Sequence, residues 1–198
     1  MLKKTLYAVA VLALAVSGAL SQDKGGKGGA KGGPPKGPGL GLSSPDFQDG
    51  GIIPDKYTQA VPMPVSPTLE WINVPMNTES FALIMHDPDA AINKSADDIL
   101  HWMAFNIPGT ARSLPGGMSA DANLPDGTIQ AKSLRGTPGF MGPGNAAINP
   151  YHHYTWELYA LDTKLTLGPD ATRAEVVKAI EGHVIGKAVL NGRFKRSQ

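Results

Sequence analysis

Short apolar runs, each about the length of one β-strand and each followed by turn-forming residues, dominate the chain after residue 43. The runs cover residues 69–74, 80–86, 100–107, 154–161 and 184–190. Runs of about four to eight residues bounded by glycine, proline and asparagine are typical of strands, whereas a helix needs a longer stretch with a 3.6-residue period. The pattern therefore predicts a domain at residues 43–198 that is built mainly from β-strands.

One helix is expected within this β pattern. Thr172 and Glu175 have the spacing of a capping box, an apolar stripe follows them, and Gly182 marks the end of the helix. Residues 109–150 are rich in glycine, proline, aspartate and asparagine, and they predict a long connection. A connection of that length in a compact domain is unusual unless it has a function.

The beginning of the chain has the pattern of a secretory signal peptide at residues 1–21. Two lysines precede an apolar stretch at residues 5–16, and the small residues Ala19 and Ser21 stand where cleavage before Gln22 requires them. The apolar stretch is shorter than the roughly 20 residues that span a bilayer, which favours a cleaved signal peptide, and we expect no stable membrane span after its removal. The alternative is an uncleaved membrane anchor, and in both cases the remainder is exported to a periplasm or secreted.

Residues 22–42 consist mostly of glycine, lysine and proline and offer almost no side chains for a core. This composition predicts a flexible basic tether, and adhesion to an anionic membrane or wall polymer is the alternative. Residues 1–42 hold six lysines and one aspartate, whereas residues 43–198 hold 12 basic and 16 acidic residues. A mildly acidic domain is a poor nucleic-acid binder, because phosphate backbones need clustered Lys and Arg.

The chain contains no cysteine, which excludes disulfides, thiolate metal sites and a cysteine nucleophile. No serine stands in the G-x-S-x-G context of a nucleophile elbow. Any catalytic or binding chemistry must therefore come from His, Asp, Glu, Tyr, Ser or backbone amides, and a serine hydrolase is not expected.

Polar residues gather where the predicted strands begin and end. Asp87 and Asp89 follow the second apolar run, where an extended chain would place both carboxylates on the same side. A turn around the intervening proline is the simpler alternative. His101 opens the third run, and a period of two places it on the same face as Met103 and Phe105.

The fourth run begins with a further polar cluster. Alternation places His152 and Tyr154 on one face and His153 on the other. The glycine-rich segment 136–144 can present backbone N–H groups to an anion, although an ordinary loop has the same composition. A metal site is conceivable but lacks the spacing of known metal motifs. Its ligands would be His86, His101, His152 and Asp87.

Five segments, which follow one another in the order expected, resemble the phosphatidylethanolamine-binding protein family, in particular its bacterial Raf-kinase-inhibitor-like branch. They are residues 44–58 (SPDFQDGGIIPDKYT), 69–75 (LEWINVP) with 80–90 (SFALIMHDPDA), 101–108 (HWMAFNIP), 151–162 (YHHYTWELYALD) and 182–194 (GHVIGKAVLNGRF). The resemblance implies a mainly β fold with a few short helices, in which a large, mostly antiparallel central sheet is joined by a smaller sheet. It also implies an anion-binding pocket formed by Asp87, Asp89, His101, Gly142, His152 and Tyr154.

The resemblance further implies a role for each of these residues. The Tyr154 hydroxyl and backbone amides near Gly142 would donate to anionic oxygens, as would the two pocket histidines, and the two aspartates would fix histidine tautomers. Three positions depart from the family pattern and alter the rim of the pocket. Ala91 replaces a proline, residues 142–147 replace a proline-rich loop, and His153 replaces an arginine.

These observations predict an exported binding module for a phosphorylated or other small anionic ligand, which could also regulate a protein partner. We expect no catalytic residue, cofactor or metal. Two other functions remain open. One is a metal- or histidine-assisted phosphoester hydrolase, and the other is an inhibitor of an exported protease or kinase that uses the long connection as its contact surface.

Overall fold

The computed structural model describes residues 38–197 of the chain. Two β-sheets form the framework. The larger sheet has six strands, which in spatial order are β2 (Gly51–Ile52), β9 (Val184–Phe194), β8 (His152–Leu161), β4 (Ser80–Asp87), β5 (Ile99–Pro108) and β7 (Ile129–Gln130). The smaller sheet has three, which are β1 (Gly41–Ser43), β3 (Leu69–Ile72) and β6 (Ser113–Leu114).

All neighbouring strands pair antiparallel except β2 and β9, which are parallel. The predicted mainly β fold, with a large antiparallel-rich sheet and a smaller one, is confirmed. All five predicted strands are present with shifted ends, and the predicted long connection contains the short strands β6 and β7. Two-residue strands leave too short an apolar pattern to be found in a sequence rich in glycine and proline.

The single α-helix among the described residues is α1 (Arg173–Ile180), and its start matches the predicted capping box. The Thr172 hydroxyl accepts from the Glu175 backbone N–H, and the Glu175 carboxylate accepts from the Thr172 N–H at 2.8 Å. One turn of 3₁₀ helix at Asp55–Tyr57 completes the helical content of this region. No helix in residues 38–197 is both long enough and apolar enough to cross a membrane.

The six-stranded sheet has a separate hydrophobic cluster on each face. Side chains of β4, β5 and β8 that point to one face pack with β3 and β6 of the small sheet, and the cluster between the two sheets includes Trp71, Trp102 and Trp156. The opposite face packs against α1 through Val176 and Ile180. The large sheet therefore forms the middle layer between the small sheet and the helix.

The two predicted N-terminal segments fall largely outside the described residues. The signal peptide at residues 1–21 lies wholly outside them. The last residues of the predicted tether at 22–42 are described, and there Gly41 and Leu42 belong to β1 and pair with Ile72 and Trp71. The ordered domain therefore begins before residue 43, because Leu42 packs against the core on the small-sheet side.

Candidate functional site

One end of the large sheet brings together the end of β4 and the start of β8. Asp87 is the last residue of β4 and His152 is the first of β8. Asp87 Oδ2 accepts from His152 Nδ1 at 2.8 Å, and Asp87 Oδ1 accepts from the Asp89 backbone N–H at 3.0 Å. Asp87 is buried, whereas the His152 side chain is 18% exposed. The carboxylate therefore orients the His152 ring at the surface edge of the site.

A β-bulge turns His101 toward this pair. Met85 pairs with Trp102 and His86 pairs with Leu100, so His101 is an extra residue in β5. A bulge of this kind re-aims a side chain, and here the His101 ring meets the Tyr154 ring edge to face with 5.1 Å between centroids. The expectation that His101 shares a face with Met103 and Phe105 is therefore wrong. Those two side chains belong to the cluster on the helix side of the sheet.

His101 is tied to the loop that follows Phe140. Its Nδ1 lies 2.8 Å from the Met141 carbonyl oxygen, and the Met141 N–H donates to the His101 carbonyl at 2.9 Å. Burial lowers the pKa of His101 and the charge of Arg135 acts in the same direction, while the Met141 carbonyl, the Asp87 carboxylate and the Gly142 carbonyl oppose them. The ring is therefore neutral near pH 7.

Two buried polar atoms of the site have no hydrogen-bond partner among the described residues. They are His101 Nε2 and the Tyr154 hydroxyl oxygen, and the two residues are 2% and 0% exposed. Burial raises the pKa of the Tyr154 phenol, and the negative charge of Asp87 raises it further. In residues 38–197, two other buried side-chain atoms share this property, Thr128 Oγ1 and Trp156 Nε1.

The segment around Gly142 packs beside the site, and residues from an earlier part of the chain fix its position. A Cβ at Gly142 would lie 2.9 Å from both the Pro64 Cβ and the Tyr57 carbonyl oxygen, so a glycine fits here. Gln59 Nε2 donates to the Gly142 carbonyl at 2.8 Å, and Gln59 N–H donates to the next carbonyl at 2.8 Å. The role of Gln59 has no signal in the sequence, because it lies 83 residues away from Gly142.

The altered loop after Gly142 is held by hydrogen bonds within itself and to Arg196. Asn145 is buried, and it donates to the Pro150 carbonyl at 2.7 Å and accepts from the Asn149 side chain at 2.8 Å. The Arg196 N–H also donates to the Asn145 carbonyl at 3.1 Å. Asp87, His101 and Tyr154 are buried, and His152 is the member of this group that is appreciably exposed.

Asp89 lies at the rim of the site and accepts hydrogen bonds from His153, whereas Asp87 accepts one from His152. Its Oδ2 accepts from the His153 backbone N–H at 2.6 Å and from the His153 ring at 2.8 Å. Burial alone would raise the pKa of Asp89, but the bonds from His153 outweigh it and lower the pKa. The structure thus brings Asp87, His101, His152 and Tyr154 together, with Asp89 and Gly142 beside them.

The four residues considered as metal ligands do not form one site, because His86 lies apart from the other three. His86 points to the helix side of the sheet, where its Nδ1 pairs with Asp98 Oδ2 at 2.6 Å and Arg173 pairs with the same carboxylate. No group of three or more His, Asp and Glu side chains within residues 38–197 is arranged to hold a metal ion.

A separate cavity of about 650 Å³ lies away from this site. Its walls are formed by residues 38–40, 73–77 and 185–187. None of the six site residues lines it.

Fold, site geometry and sequence together identify the class of protein. Residues 43–195 match the family described as phosphatidylethanolamine-binding protein, and the chain belongs to that family.

Individual relatives and solved structures agree with this family. A UPF0098 protein of Methanothermobacter thermautotrophicus is 40% identical over 157 residues, which cover 79% of this chain and 99% of the relative. A Mycobacterium tuberculosis protein, LppC, whose name describes it as a lipoprotein, is 33% identical over 157 residues, covering 79% of this chain and 72% of LppC. The crystal structure of E. coli YbcL, described as a member of the mammalian PEBP family, superposes with a TM-score of 0.70 at 27% identity. The superposition covers 81% of this chain and 100% of YbcL.

Proposed function

We propose that this domain is an exported binding module for a small oxyanion of phosphate-like chemistry, held between His101, His152 and Tyr154. The observation that carries this proposal is the pair of buried, unpartnered polar atoms on His101 and Tyr154. Leaving such an atom unpaired costs about 1–3 kcal/mol, so a fold that keeps two of them side by side has a use for both.

The charges around the pair favour a ligand of this class. The Tyr154 phenol stays protonated because burial and Asp87 raise its pKa, so it is a permanent donor at neutral pH. His152 has its Nδ1 held by Asp87, which leaves Nε2 directed away from that carboxylate at the exposed edge. Among the three side chains, His152 is appreciably exposed, at 18%, whereas His101 and Tyr154 are buried, so a ligand would first meet His152.

Calorimetric titration of the purified protein with phosphate and with phosphoethanolamine tests the proposal. Removing a hydrogen bond to a charged ligand costs about 1.5–3 kcal/mol, so Tyr154→Phe should weaken binding by at least tenfold. Tyr159→Phe is the matched control, because it deletes the same hydroxyl from the same strand on the helix side of the sheet. Absence of binding to the unaltered protein at millimolar ligand, or equal affinity of both variants, would count against the proposed site.

The proposed export is supported by the signal-peptide pattern at residues 1–21 and by the similarity to LppC, whose name describes it as a lipoprotein. Mass spectrometry of the protein made in its own cells tests this part. We expect a mature N-terminus at Gln22 in the exported fraction, and an intact Met1 in the cytosolic fraction alone would contradict it.

A further inference from the structure

Resting on the proposed anion site, we propose that the ligand is bound as a proton-carrying monoanion. The ligand class would be a phosphomonoester whose P–O–H donates to His101 Nε2 while a second oxygen accepts from the Tyr154 hydroxyl. This goes beyond a preference for negative charge, because it names the hydrogen-bonding pattern that the ligand must have.

The hydrogen-bond direction at His101 follows from its partner. A carbonyl oxygen can only accept, so the contact between His101 Nδ1 and the Met141 carbonyl places the ring proton on Nδ1. In a neutral ring Nε2 then carries a lone pair and is an acceptor. The unpartnered Nε2 therefore needs a donor, whereas a fully ionised oxyanion offers only acceptors.

The neighbouring Tyr154 has the complementary requirement. Its hydroxyl can donate. The two rings pack edge to face, and His101 Nε2 and the Tyr154 hydroxyl do not hydrogen-bond to each other. A P–O–H next to a P–O⁻ supplies one donor and one acceptor on adjacent oxygens. A phosphomonoester monoanion thus satisfies both buried atoms at once.

The charged groups that face His101 favour a ligand of low charge. Asp87 on β4 is the nearest carboxylate, and both of its oxygens already accept hydrogen bonds, from His152 and from the Asp89 backbone. Its negative charge repels a dianion more than a monoanion. Arg135 in the loop after β7 is the cation that acts on the ring, and Tyr154 on β8 contributes a neutral phenol.

A matched ligand pair tests the inference. Phosphoethanolamine and the sulfate monoester of ethanolamine have the same shape, and near pH 5.5 both have one negative charge on the ester. The phosphate ester then carries a proton, because its second pKa is about 6, whereas the sulfate ester carries none. Calorimetric titration at about pH 5.5 should give an affinity for the phosphate ester at least about fivefold higher, since an unpaired buried acceptor costs about 1 kcal/mol or more.

The pH dependence separates a proton on the ligand from a proton on the protein. The affinity for the phosphate ester should fall roughly fiftyfold between pH 6 and pH 8 as the monoanion disappears. The affinity for the sulfate ester reports only on the protein's own groups and should change far less. NMR of the imidazole nitrogens in the ligand-free protein should show the Nδ1–H tautomer of His101.

Three results would overturn the inference while leaving an anion site in place. They are equal affinity for the two esters at low pH, a parallel pH dependence for both, and an Nε2–H tautomer in the free protein. Failure of both esters to bind would instead remove the proposed function itself, and the inference with it.

Discussion

Replacing Tyr154 by phenylalanine should make the ligand-free protein more stable. The phenol is fully buried, and its oxygen makes no hydrogen bond of normal geometry within residues 38–197, although the Asp87 carboxylate lies near enough to raise its pKa. An unpaired buried hydroxyl costs about 1–3 kcal/mol, and phenylalanine keeps the ring that packs against His101. Part of the gain is lost to the small void that the missing oxygen leaves. We therefore expect the free energy of unfolding to rise by about 1 kcal/mol, which is roughly 2–4 °C in Tm for a domain of this size.

The same substitution at Tyr159 should have the opposite effect. The Tyr159 hydroxyl donates to Glu157 Oε2 at 2.9 Å, and both side chains are partly buried. Loss of a partly exposed bond to a charged acceptor should lower the free energy of unfolding by about 1 kcal/mol. The two variants differ from the parent by one oxygen each, so they should differ from each other by about 2 kcal/mol.

Urea denaturation without phosphate, followed by tryptophan fluorescence, measures both variants under the same conditions. A Tyr154→Phe protein that is destabilised as much as Tyr159→Phe would refute the reasoning, because it would mean that the Tyr154 hydroxyl has a partner in solution. Added phosphoethanolamine should stabilise the parent and the Tyr159 variant but have little effect on the Tyr154 variant. A stability gain joined to a binding loss would identify the hydroxyl as a functional group.

Two further predictions concern the packing and the protonation of the site. Gly142→Ala should lower the free energy of unfolding by about 1–3 kcal/mol in the same urea assay, since its Cβ would meet a proline side chain and a backbone oxygen at 2.9 Å. Gly168→Ala, which meets no atom within 4 Å, should be nearly neutral, and equal effects would contradict this packing argument. Burial lowers the pKa of His101 below the free value of about 6.5, so an NMR titration of its ring should show a midpoint below that value. Its contribution to stability should be present above about pH 6.5 and be lost as the pH falls through the folded pKa, and a midpoint at or above 6.5 would contradict that burial.

Much of the framework could be predicted from the sequence because the central strands are long and apolar. Residues 80–86 and 154–161 lie within β4 and β8 as expected, and the capping box at Thr172 marks the start of α1. Alternation also predicted the start of β8 correctly, because His152 and the buried Tyr154 flank the exposed His153. These features depend on local patterns of apolar and polar residues, which a single sequence contains.

The orientation of His101 could not be predicted, because it depends on a bulge in the pairing of β5 with β4. Side chains alternate between the two faces of a sheet only while the strand pairing is regular. One inserted residue therefore reverses the face to which the side chains on one side of the bulge point. The partner of the Gly142 carbonyl was missed for a related reason. Gln59 lies on a distant part of the chain, and contacts between distant segments leave no periodic signal.

The bulge and the unpartnered atoms are better explained together than separately. Trp102, the residue after the bulge, has its ring N–H satisfied by Gln130 at 2.7 Å, so buried polar groups in this part of the sheet can find partners. Within residues 38–197, Thr128 and Trp156 also have a side-chain atom without a partner, but in that range only His101 and Tyr154 place an unpartnered acceptor and an unpartnered donor on two rings in contact. A regular β5 would direct His101 to the helix side and remove the acceptor from Tyr154. The irregularity in the sheet thus creates the pair of atoms that the proposed proton-carrying oxyanion would complete.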